Sequence, residues 1–174
     1  MKHINNPNTI QVFLLFAILS SVFACALPWG ILSTTYNGKG SNSPITVRSQ
    51  FNLWNGSVEF NSCDSEDDKI IKINPIYDNT SNTSQTTWLS LCRILSIVTI
   101  ASLCISFVLS IKDGNEISLR NAYFIILAMI AALANIIFCA TALFKNSPMG
   151  AAGYIQILTI LFALCTLFFS YPFY

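Results

Sequence analysis

Four long apolar stretches alternate with polar ones along this chain. The first runs from about Ile10 to Leu32 without a charge, and the second from Trp88 to Ile111 with Arg93 near its start. The third, Ala122–Phe144, and the fourth, Ala151–Ser170, contain no charged residue. As helices rising ~1.5 Å per residue they extend about 30–36 Å, enough to cross a bilayer's hydrocarbon. Helices are expected because backbone N–H and C=O groups must be paired internally in lipid. The expected fold is therefore an all-α membrane protein, with residues 1–174 forming one four-helix domain. The spans are expected at about 10–32, 88–111, 122–144 and 151–170.

The first stretch also imitates a secretory signal, with Lys2, an apolar run and the triplet Ala24-Cys25-Ala26. Its apolar run exceeds the usual 7–15 residues of a signal core and continues to Trp29, a typical interfacial end-marker. An uncleaved helix is the expectation.

The connections are unequal: a long polar segment 33–87, a short charged turn 112–120 and a tight link 145–150. Four crossings place both termini and 112–120 on one side. Lys2, Lys112 and Arg120 flank that side against Lys145 on the other, a positive-inside bias toward cytoplasmic termini. The glycosylation triplets starting at Asn55, Asn79 and Asn82 all fall within 33–87, which points to an extracytoplasmic segment inserted along the secretory route. The plasma membrane or another secretory-pathway membrane is the expected location. With the chain ending at Tyr174, no cytoplasmic tail is expected.

Within 33–87 the pattern turns to strands. The run Ile45 to Leu53 is rich in β-branched and aromatic residues, and Ser57-Val58-Glu59-Phe60 alternates polar with apolar. Asn55-Gly56 between them is a strong hairpin signal, because both central residues of such a turn need positive φ. Ile70 to Ile73 and Ile31 to Tyr36 offer two further strands. A small antiparallel β-sheet in the first extracellular loop is expected.

Composition narrows the function. Hydrophobic residues make up 53% and charged ones 10%, against about 25% charged in soluble domains. The net charge of +1 gives no nucleic-acid footprint. His3 is the sole histidine; with no catalytic constellation in view, no enzyme activity, metal or cofactor is expected. The acidic run Asp64 to Asp68 lacks the ligand spacing and turn glycine of a calcium loop and reads as a solvated turn.

Helices in lipid associate through close packing and a few polar contacts. Small-residue stripes suit this: Ala17, Ser21 and Cys25; Ser102, Ser106 and Ser110; Ala128, Ala132, Asn135 and Cys139; Thr159 and Ala163. Asn135 and Gln156 are the most polar uncharged groups at lipid depth, read either as interhelical hydrogen bonds or as the lining of a polar path. Carboxylates are missing from all four stretches, which leaves a proton- or cation-coupled transporter little to work with. Arg93 reads as an interfacial side chain that snorkels to water, or as a group that selects anions or headgroups.

One constellation carries a family resemblance. A first helix ending near Trp29 leads into a strand-rich segment with Asn52-Leu53-Trp54, then Cys63, then Arg93 at the mouth of the second helix. This order resembles the claudin and peripheral-myelin-protein superfamily, with its Trp, Gly-Leu-Trp, two Cys and Arg. The resemblance implies a left-handed four-helix bundle capped by an extracellular sheet, with Trp54 at the lipid interface and Arg93 bonded to loop carbonyls. It also implies work by association within or between membranes, or as an accessory subunit of a channel or receptor. The partners expected are the lipid bilayer and either a second copy or another membrane protein. The chain departs from the family where Asn52 replaces Gly and Val58 replaces the first Cys, so the family's intra-loop disulfide cannot form. The short 145–150 link leaves little second loop. A tight-junction claudin is therefore not expected; the rival reading is a small four-helix transporter or channel.

Of the six cysteines, Cys25, Cys104, Cys139 and Cys165 lie within apolar stretches, where a thiol is usually a packing residue. Without a Cys-x-x-Cys, a four-helix thiol oxidoreductase is not expected. Cys63 and Cys92 remain on the oxidising side and are expected to pair. Closing that loop of ~30 residues would contribute about 3 kcal/mol.

Overall fold

The computed structural model describes residues 7–36, 45–54, 56–62, 69–73, 83–112, 118–143 and 149–170. Helix α1 spans Pro7–Ala26, followed by strands β1 (Gly30–Tyr36), β2 (Ile45–Phe51), β3 (Gly56–Ser62) and β4 (Lys69–Ile73). Then come α2 (Thr83–Lys112), α3 (Leu119–Phe138), a π-helical turn at Cys139–Leu143, and α4 (Ala151–Ser170). All four α-helices are long and apolar enough to cross a membrane, which identifies an integral, multi-pass membrane protein.

Residue distribution across the bundle is that of a protein solvated by lipid. Large apolar side chains point outward: Val108 is 62% exposed, Ile130 60% and Phe168 59%. The interior mixes a few large apolar side chains, Leu14, Leu103 and Ile125, with many small and polar residues, including Ala17, Ala128, Ala132, Ser102, Ser106 and Thr159. In lipid the outward Leu, Ile and Phe cost nothing, while small interior residues let backbones approach. Packing is most extensive between α1 and α4 and between α2 and α3, with α1–α2 and α3–α4 contacts closing the ring. Stacked rings reinforce the α1–α4 seam, with the Phe13 and Phe169 centroids 5.4 Å apart and those of Phe16 and Phe162 5.6 Å apart.

Helix boundaries depart from the sequence expectation in instructive ways. Helix α1 stops at Ala26, not Leu32, because Pro28 disfavours helical backbone at Leu27 and the chain turns directly into β1. Trp29, expected as an interfacial marker, is only 3% exposed and packs inside. Helix α2 begins at Thr83, several residues before the apolar stretch. Its 30 residues extend ~45 Å, longer than the hydrocarbon thickness of about 30 Å. Ser118 caps α3, its hydroxyl accepting from Asn121 N–H at 3.3 Å.

The strands pair antiparallel in the order β1-β2-β3-β4, with Gly30 opposite Phe51, Phe51 opposite Gly56 and Gly56 opposite Ile73. Gly56 thus lies within β3, and β2 joins β3 through residues 52–55 instead of a two-residue Asn55-Gly56 turn. Among the described residues, no strand lies along a helix. The strands join the bundle through residues 27–29 and 52–54 at their base.

Candidate functional site: the clamp at the base of the strands

The clamp begins with Asn52, immediately after β2. Its side-chain oxygen accepts from Trp54 N–H at 2.8 Å, an Asx-type turn, while its Nδ2 donates to the Ala26 carbonyl at 3.3 Å. Ala26 ends α1, so its carbonyl is one of those a helix terminus leaves without an internal partner. The turn drives Leu53 inward, where it is fully buried with Ala24, Trp29, Leu89, Cys92, Cys139 and Ala152. It also aims the Leu53 carbonyl at α2, where Arg93 Nε donates to it at 2.7 Å. The Arg93 guanidinium carbon sits 5.1 Å from the centre of the Trp54 ring. One side chain therefore holds both the backbone and the aromatic face of the turn. A hydrogen bond from a charged donor contributes about 1.5–3 kcal/mol and an exposed cation–π contact about 0.5–1 kcal/mol.

The other half of the clamp is backbone. Gly150 N–H donates to the Trp29 carbonyl at 2.8 Å, and Ala152 N–H donates to the Pro28 carbonyl at 3.1 Å. Gly30 and Met149 form an isolated antiparallel bridge. The α1–β1 junction thereby satisfies donors that the start of α4 would otherwise leave open. A glycine is required at position 150, since any Cβ there would overlap the Pro28 carbonyl oxygen.

Below the clamp the interior carries paired polar groups. Asn135 Nδ2 donates to Ser96 Oγ at 2.7 Å, and its Oδ1 accepts from Cys139 Sγ at 3.5 Å. Thr159 Oγ1 donates to Ser20 Oγ at 3.2 Å, joining α4 to α1, and Ser106 donates to Asn121 Oδ1 at the opposite end of α2–α3. Ser21 Oγ and Gln156 Nε2 are buried without a hydrogen-bond partner among the described residues, as is Trp29 Nε1.

The residues singled out from sequence thus divide. Trp29, Leu53, Trp54 and Arg93 converge on the clamp. Asn135 and Gln156 lie in the interior, Asn135 held by Ser96 on α2 and Cys139 in the π-helical turn. Cys63 and the acceptors Asn55, Asn79 and Asn82 lie outside the described residues, as does the acidic run 64–68. Cys92 is a free, buried thiol in the cluster that also holds Cys139; the Cys63 of its expected pairing lies outside the described residues. It sits one helical turn before Ser96, which bonds to Asn135 of α3, and shares the buried cluster beneath the clamp with Leu53 and Trp29. Sequence reasoning missed Ser96, Asn121 and Ser20, although Ser96 and Thr99 extend the Ser102 stripe at helical spacing. It also missed Gly150, whose role depends on a contact more than a hundred positions away. No protein-family model matches the chain, and no curated protein matches it in sequence.

Proposed function

We propose that this chain is a non-enzymatic membrane protein of claudin-like build, acting by association within the membrane or as an accessory to another membrane protein. The observation that carries the reading is the clamp. Arg93 and Trp54 help hold the strand-bearing segment to a bundle that, among the described residues, meets it at the base of the strands, which is the arrangement of a protein that presents a surface. The strands would stand on the extracytoplasmic side as a small sheet, with Asn55, Asn79 and Asn82 open to glycosylation and both termini cytoplasmic. The outward apolar faces are covered by lipid, and the small-residue interior is consumed by the bundle itself. Partner recognition therefore falls to the strands and the rim around Trp54 and Trp88. Cross-linking in intact membranes tests this: discrete adducts through residues of the strands support it, and a chain that yields none opposes it.

A conducting role is the second reading, favoured by the unpartnered Ser21 hydroxyl and Gln156 amide in the interior. Ion or solute flux through liposomes holding the purified protein, abolished by Gln156→Leu, would support that reading over the first.

A further inference from the structure

The α2–α3 interface brings two buried thiols to the same end and into one cluster. Ser96 and Asn135 meet across the antiparallel helices at 2.7 Å. Cys92 lies four residues before Ser96 and Cys139 four residues after Asn135, so each is displaced by one turn on the same face and toward the same end. The two cysteines share one buried cluster with Leu53 and Trp29, Cys92 at 0% and Cys139 at 2% exposure. Cys139 also opens the π-helical turn, a local widening frequent at functional sites. Asn135 Oδ1 accepts from its thiol and fixes where that sulfur points.

We infer that Cys92 and Cys139 form an oxidisable dithiol that closes to an interhelical disulfide under hydrogen peroxide. Burial decides the oxidant, because neither sulfur is accessible to a glutathione-sized disulfide, whereas peroxide is small and uncharged. One sulfur attacks a peroxide oxygen, forming an S–O bond as the O–O bond breaks and one water leaves. The second sulfur attacks that sulfenic sulfur; an S–S bond forms, the S–O bond breaks and a second water leaves. Two thiols and one peroxide thus give one disulfide and two waters. The bond would lock α2 to α3 directly beneath the clamp, beside Arg93.

The test treats the full-length protein in lipid nanodiscs with hydrogen peroxide, blocks residual thiols after denaturation and maps peptides without reductant. The expected result is a Cys92–Cys139 linked peptide that dithiothreitol reverses. It should persist in Cys63→Ser and Cys104→Ser and disappear in Cys139→Ser. Recovery of both cysteines as alkylated thiols, their separate oxidation to sulfinic acids, or a Cys92–Cys63 link would overturn the inference. The wild-type peptide map decides even where Cys139→Ser does not fold.

Discussion

Arg93 Nε donates to the backbone carbonyl of Leu53 at 2.7 Å, across forty positions of sequence, and the same guanidinium lies over the ring of Trp54. This contact joins the Asn52–Ala26 bond and the backbone bonds to Gly150 and Ala152 in tying the strand-bearing segment to the bundle. Arg93→Leu should lower stability by about 2–3 kcal/mol, the cost of losing a charged hydrogen bond and leaving a half-buried carbonyl unpaired. Arg93→Lys should recover only part, since an ammonium lacks the planar fork and the stacking face. Thermal unfolding in mild detergent, followed by tryptophan fluorescence, reads both.

Gly150 makes a second prediction by contrast with Gly153. Alanine at 150 meets the Pro28 carbonyl, a backbone group that cannot move without opening the α1–β1 junction. Alanine at 153 meets only side-chain atoms, those of the 37% exposed Met149, which must change rotamer to make room. Gly153→Ala should be near neutral, its helix propensity gain of about 1 kcal/mol offsetting the shift, while Gly150→Ala should sharply lower the folded yield. Size-exclusion profiles of the two variants check this.

The Ser96–Asn135 hydrogen bond should be of ordinary strength for a membrane interior. Such interhelical bonds average about 0.6 kcal/mol and reach about 1.7. A double-mutant cycle with Ser96→Ala and Asn135→Leu should return a coupling in that range. A coupling near zero would mean that the Ser96 hydroxyl is satisfied by the Cys92 carbonyl alone, 3.0 Å away.

Glycosidase treatment checks sidedness. Protein expressed along the secretory route should shift in mobility, and the shift should vanish once Asn55, Asn79 and Asn82 are all replaced by Gln. An unchanged band in the wild type would remove the support that these triplets lend to an extracytoplasmic segment.

How far the chain could be read in advance depended on the range of the forces involved. Helix α4 occupies Ala151–Ser170 as expected, because an uninterrupted apolar stretch and the lipid requirement for paired backbone are local facts. The end of α1 was also legible in Pro28, although the apolar run past it masked the signal. Leu53 illustrates the opposite case: its run reads as continuing strand, yet the Asn52 turn and the pocket between Trp29 and Leu89 pull it out of β2. The face that Cys92 occupies was hidden for a related reason, since its distance from the polar segment says nothing about which side of α2 it lies on. Only the partnership of Ser96 with Asn135 reveals that face. Gly150 could not be read at all, because Pro28 reaches it through the fold and not through the sequence.

The most direct test of the account is the native mass of the particle extracted from membranes in mild detergent. If the clamp exists to present an association surface, the particle should contain more than one polypeptide, and Arg93→Leu should shift it toward the single chain. A wild-type particle of one chain with bound lipid alone, at every concentration and in every detergent tried, would contradict the account.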